Sequence, residues 1–282
     1  MAGTGISGTE KRYRKMRLLV QELVATGHGE STGGSGSGYE TNVALGTTAL
    51  DTNTTGENNI AIGYAALTAN TTGADNVAIG DEVLDVNTVG VRNIGIGSSA
   101  LGVSTTGTDN IAIGATAMDA NTTGVENVAI GTDALGANTV GDGNIAIGDD
   151  ALLLNTTGVS NVAVGRDALK TQTVGVRNIA IGDDAQGALT TGTDNVAIGH
   201  NALNAATTGV ENVAIGTDAL GANTVGDGNI AIGDDALLLN TTGINNVAVG
   251  RDSLKTQTVG VRNIAIGNNA GGALTTGTDN IA

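Results

Sequence analysis

The chain has 282 residues, among them 46 Gly and three Tyr but no Cys, Pro, Trp or Phe, and its net charge is −16. A compact domain of this length normally buries large aromatics, so the interior must be narrow and lined by Val, Ile, Leu and Ala. Disulfide and thiolate chemistry are excluded, and the lack of Pro suits uninterrupted backbone ladders.

The first segment, residues 1–26, contains one predicted helix over residues 9–26, with Thr9 as N-cap and Gly27 as its stop. Met16, Leu18, Leu19, Val20, Leu23 and Val24 give it an apolar stripe, and Lys11, Arg12, Arg14, Lys15 and Arg17 a basic face. Two roles fit this pattern: a cap on the first repeat, or an anchor that docks into a larger assembly through Lys11, Arg12, Arg14, Lys15, Arg17, Leu18 and Leu19. Gln21 and Glu22 interrupt the apolar run, so neither a signal peptide nor membrane insertion is expected. Residues 27–38 have the composition of a Gly/Ser linker. They follow a helix and lead into a strand, the reverse of the order in a phosphate-binding loop.

From residue 39 onward an asparagine returns every 17 residues, from Asn42 through Asn76, Asn93, Asn110, Asn127, Asn144, Asn161 and Asn178 to Asn280, with no insertion or deletion. A strict short period means one small unit stacked on copies of itself. The unit reads Asn-[Val/Ile]-Ala-[Ile/Val]-Gly-x-x-Ala-Leu-x-x-x-Thr-[Thr/Val]-Gly-x-x, and its residues are numbered here from the Asn as position 0. The β-branched run at positions 1–3 predicts a short strand entering a tight turn. Its two aliphatics, such as Val77 and Ile79, are expected to face the coil interior, with the small Ala78 turned outward against something closely packed. Ala-Leu at positions 7 and 8 is a second inward stretch, and both glycines are read as turn residues with positive φ.

Stacked in register, the asparagines are expected to hydrogen-bond up the rod as a ladder. The Thr at position 12 has two readings: a coil-to-coil hydroxyl ladder, or a flat face of the kind that orders water on ice, which the single Thr per face disfavours. The positions flanking the Asn, and those after the first Gly, vary as solvated turns do. A longer rhythm overlies the short one, since Val125–Gly158 recurs almost unchanged as Val210–Gly243, five units on. Duplication in such blocks lengthens a rod without disturbing its register. One unit per coil at about 4.8 Å gives a rod on the order of 70 Å. The alternative is a unit forming one side of a three-chain prism.

Five of the twelve basic residues lie between residues 11 and 17, and residues 41–282 carry 7 basic against 24 acidic residues. An acidic rod does not hold nucleic acid and resists side-by-side association. No cofactor, metal or catalytic site is expected. His28 and His200 have no partners for a metal cluster or triad. The pairs Asp149-Asp150, Asp183-Asp184 and Asp234-Asp235 lack the calcium-binding nonapeptide pattern and read as hydrated turns. The last residues, Asn280-Ile281-Ala282, fall inside a unit, which raises the expectation of further chain or of a partner covering that end.

At Asn-Val-Ala-Ile-Gly-x-x-Ala (Asn76–Val83, Asn127–Ala134, Asn195–Ala202) the chain resembles the head repeats of YadA-type trimeric autotransporter adhesins and the related arrays of bacteriophage tail fibres. The resemblance spans residues 39–282, with a 17-residue unit where the adhesin heads use a shorter one. It implies an all-β parallel β-roll or β-solenoid, three chains packed round a common axis, and the constant Ala as a close-contact position. The resulting expectation is a non-enzymatic, homotrimeric virion fibre, on tail or head, assembled in the host cytoplasm. Residues 1–26 would dock on a tail or capsid protein, and a host surface receptor is a possible partner. The rivals are a cell-surface adhesin fragment, which would need a signal, a stalk and a membrane barrel, and a solitary ice-binding or surface-layer solenoid.

Overall fold

The computed structural model describes residues 41–282. The predicted helix, its basic cluster and the Gly/Ser linker lie outside the described residues. Fourteen strands of three residues follow one another, β1 (Val43–Leu45), β2 (Ile60–Ile62), β3 (Val77–Ile79) and so on at the repeat spacing to β14 (Ile264–Ile266). They form one parallel sheet in sequence order, β1 to β14. Each residue pairs with the one 17 further on, as Val77 with Ile94, Gly95 with Ala112 and Ile147 with Val164. The repeat is therefore one full coil of a β-solenoid, and the prism alternative, with one unit per side, falls away.

Bonding between coils is not confined to the strands. Val77 N–H donates to Asn93 O at 2.8 Å, Glu82 N–H to Tyr64 O at 2.8 Å, and Thr88 N–H to Thr105 O at 3.0 Å. A turn that would normally leave its backbone groups to water thus ladders on every side of the coil.

The strands turn the opposite way from the expectation. Ala61, Ala78, Ala112, Ala129 and their counterparts to Ala265 are fully buried, whereas Ile79, Ile113, Ile130 and Ile147 are more than a third exposed. The reason is the width of the coil. Position 8 already fills the core with Leu50, Leu67, Leu84, Leu101, Met118 and Leu135, all fully buried, beside Ala66, Ala100 and Ala134 at position 7. What remains opposite that Leu column is room for a methyl group. Where position 7 enlarges to Val83, the neighbouring Ala shrinks to Gly95. A Cβ at Gly95 would stand 2.5 Å from Val83 Cγ1. The inward Ala-Leu pair is as expected.

The two glycines also differ from each other. Position 4 does carry a left-handed backbone, as at Gly80 (φ 134°) and Gly148 (φ 139°). Position 14 does not. A Cβ at Gly141 would lie 2.4 Å from both Asn138 Oδ1 and Gly158 O, so close packing alone excludes a side chain there. Apart from Gly143, Gly228 and Gly271, the other left-handed turns are made without glycine, as by Glu82 (φ 56°) at position 6, Leu67 (φ 53°) and Leu135 (φ 53°) at position 8, and Asp109 (φ 58°) and Arg177 (φ 54°) at position 16. A left-handed non-glycine residue costs about 1–2 kcal/mol. Full burial of a Leu side chain returns about 1.5–3 kcal/mol, which explains why an apolar residue sits at such a turn.

Candidate functional site: two internal amide columns and an outward aliphatic face

The asparagines at position 0 are fully buried from Asn59 to Asn246 and form the expected ladder. Asn76, Asn93, Asn110, Asn127, Asn144, Asn161 and Asn178 each donate from Nδ2 to the Oδ1 of the preceding one, at 3.0–3.3 Å. That oxygen also accepts the backbone N–H of the next Asn, as from Asn93 N to Asn76 Oδ1 at 2.9 Å. The second Nδ2 proton goes to the position-14 carbonyl, Asn76 to Gly90 O at 2.9 Å.

A second amide column, at position 11, runs beside it and is not evident from the repeat consensus. Asn53, Asn70, Asn87, Asn121, Asn138 and Asn155 are buried there. Asn70 donates to Asn53 Oδ1 at 2.9 Å and to Gly73 O at 3.0 Å. Where position 11 is Asn, the position-14 carbonyl thus receives two side-chain amides, one from each column, and the glycine is pressed between them. The signal was present in the sequence as a frequent Asn at position 11, masked by Ser104, Gln172, Leu189, Ala206, Gln257 and Leu274. At one coil the core residues trade places, since Gln186 takes the Leu position and Leu189 the Asn position. Both amide atoms of Gln186 are buried without a partner.

The threonines at position 12 ladder as well. Thr71 Oγ1 donates to Thr88 O at 2.9 Å, and Thr122 Oγ1 to Thr139 O at 3.0 Å. Their hydroxyl protons are committed along the rod, which weighs further against ice binding.

On the outside, positions 1 and 3 form two parallel rows in which every residue from Val43 to Ile266 is Val, Ile or Leu. Ile113, Ile130 and Ile198 are each 37 % exposed, and Ile147 and Ile232 38 %. Fourteen strands at about 4.8 Å extend this face on the order of 60 Å, and its two rows make it about 10 Å wide. Its footprint of roughly 600 Å² is at the upper end of what monomers expose and approaches the ~800 Å² per partner of a stable interface.

Charged columns flank the face at positions 16 and 5; both are net acidic, and arginines within them pair with an aspartate of the next coil. Arg92 binds Asp109 at 2.6 Å, Arg177 binds Asp194 at 2.6 Å and Arg262 binds Asp279 at 2.7 Å, while on the other edge Arg166 binds Asp183 at 2.7 Å. The guanidinium hydrogen bond holds each of these four carboxyls below the ordinary aspartate value. His200 is exposed and lies near Asp183. An apolar strip with a polar rim is the layout of a protein interface.

One aspartate of each Asp pair is held by a cation, Asp183 by Arg166 and the other two by lysines. Lys170 bridges Asp150 and Asp167 at 2.8 and 2.7 Å, and Lys255 bridges Asp235 and Asp252 at 2.6 and 2.8 Å. One shallow groove, lined by Glu82, Asp85, Val86, Ser99, Gly102, Val103 and Asp119, has no such cation. Burial, with a nearby carboxylate adding to it, raises Asp85 and Asp119 above the ordinary aspartate value. Among the described residues no group of three or more His, Cys, Asp or Glu side chains is placed to hold a metal, and no helix is long and apolar enough to cross a membrane. The docking residues Lys11, Arg12, Arg14, Lys15, Arg17, Leu18 and Leu19 lie outside the described residues.

No protein-family profile and no curated protein matches this chain.

Proposed function

We propose that the chain is a structural shaft: a non-enzymatic, homotrimeric fibre segment of a bacteriophage virion, on tail or head, that contributes to attachment at the host surface. The observation that carries this reading is the unbroken aliphatic face, which the coil itself does not cover. Three copies meeting along that face would bury it and leave the charged columns, with their Arg–Asp pairs, at the rim. The close-contact role that the resemblance assigns to the constant Ala passes to the flanking Val and Ile, because the Ala is inside. The uniform register also favours a mechanical role, since each coil templates the next and nothing interrupts the stack to make a catalytic cleft. Docking on a tail or capsid protein is assigned to residues 1–26, and that docking segment, rather than the repeats shared by fibres and adhesin heads, favours a virion over a cell surface.

The test is the mass of the untagged chain by light scattering in EDTA, beside an unheated SDS gel. A species of three times the 27.5 kDa chain mass that survives SDS supports the fibre. A single-chain mass removes the trimer and with it the main support for this function.

A further inference from the structure

The second amide column breaks at Ser104, and the atoms around the break outline a small polar site inside the rod. Asn87 Oδ1, one coil away, and Ser104 Oγ are buried and have no hydrogen-bond partner, and both residues have zero exposure. Where the column is intact, the amide nitrogen bonds twice: Asn87 donates to Asn70 Oδ1 at 3.0 Å and to Gly90 O at 3.2 Å. By the same register, the nitrogen missing at Ser104 would have bonded Asn87 Oδ1 and Gly107 O. On the other side, Asn121 Nδ2 donates to Gly124 O at 3.2 Å, and its second proton has lost the oxygen that the intact column offers it.

The room is visible independently at the glycines. A Cβ at Gly73, Gly90, Gly124 or Gly141 would meet its own coil's Asn Oδ1 at 2.3–2.4 Å, whereas at Gly107 the nearest atoms stand 2.9–3.0 Å away and none belongs to Ser104.

We propose that this site binds one water molecule in place of the missing amide. The water donates to Asn87 Oδ1 and Gly107 O and accepts from Ser104 Oγ–H. Three partners are typical of a buried water, and the two heavy atoms by which Ser is smaller than Asn free about the ~30 Å³ that a water takes up. The other breaks differ. Asn155 Oδ1 and Gln172 Nε2 are also unpartnered, but glutamine is longer than asparagine and frees no room. Ala206 frees room but has the apolar Leu189 on one side. The bound water satisfies the Asn87 side of the break at Ser104 whatever the oligomeric state of the rod.

A high-resolution crystal structure of the full chain tests this directly, the expected result being a single peak within about 2.7–3.2 Å of Asn87 Oδ1 and Ser104 Oγ. No peak, with Ser104 Oγ bonded instead to a protein atom, overturns the proposal. Two variants give a second readout. Ser104→Asn replaces the water with the amide and raises the melting temperature by about 2–4 °C. Ser104→Ala leaves the water on two partners and lowers the melting temperature slightly. A rise in Ser104→Ala would mean that only an unsatisfied hydroxyl had been removed, and overturns the site.

Discussion

The amide columns inside the coil and the aliphatic rows outside it repeat with the same period, yet they tolerate change differently. At position 0 the Asn never varies from Asn42 to Asn280, while at positions 1 and 3 Val and Ile exchange freely and Leu45 is admitted. An amide ladder is directional, and every donor must meet one acceptor at about 2.9 Å, so no other side chain serves. An aliphatic face needs only area. The position-0 column completes its contacts when the chain folds, whereas the face ends in solvent. The first specifies the coil, and the second is a surface available for assembly.

Breaking the interior is expected to have the largest effect. Replacing Asn144 and Asn161 together by Ala strands their buried partners on both sides, at about 1–3 kcal/mol for each unsatisfied group. A chemical-denaturation midpoint equal to that of the parent would contradict the ladder. Gly141→Ala, which has no left-handed φ to blame, is expected to destabilise by about 1–3 kcal/mol through overpacking alone. If only turn geometry mattered at position 14, this variant would be neutral.

Gly95→Ala sharpens the same point, because its clash is with a single side chain. It should lose about 1–3 kcal/mol, and Val83→Ala in the same chain should restore much of it. A double-mutant cycle with no coupling would show that the two volumes are not matched.

Smaller effects are expected at the surface. Asp109, Asp183, Asp194 and Asp279 have lowered values, so their contribution is present above the ordinary aspartate value of 3.8 and is lost as pH falls through their folded values. Asp85 and Asp119 act in the opposite sense. Their penalty is present at neutral pH and is relieved as pH falls through their raised values. Asp85→Asn with Asp119→Asn should therefore raise the melting temperature at pH 7, with an advantage that disappears below pH 3.8. A pH-independent advantage would assign the effect to packing instead.

Much of this architecture was legible in the sequence. The period yields the coil, and the invariant Asn, the Ala-Leu pair and the Thr column all occupy the structural roles their chemistry suggests. The sidedness of the strand was not legible. Val77-Ala78-Ile79 alternates equally well with either face inward, and a preference for burying the larger side chains points the wrong way. What decides it is the space left opposite the Leu column, a property of the closed coil and not of any one segment. The position-11 amides were hidden for a different reason. Ser104, Gln172, Leu189, Ala206, Gln257 and Leu274 break the pattern, and only the stacked structure shows which of them preserve polarity, which preserve volume, and which preserve neither.

The most direct test of the outward face is to compare the mass in solution of the parent chain with that of an Ile147→Lys, Ile181→Lys variant. Both positions are exposed in the single chain, so coil stability should change by no more than about 0.5 kcal/mol per site, leaving the far-ultraviolet circular dichroism intact. The account expects a parent of three times 27.5 kDa and a folded variant of single-chain mass. A parent that is already a single chain, or a charged variant that keeps the parent's mass, would contradict it.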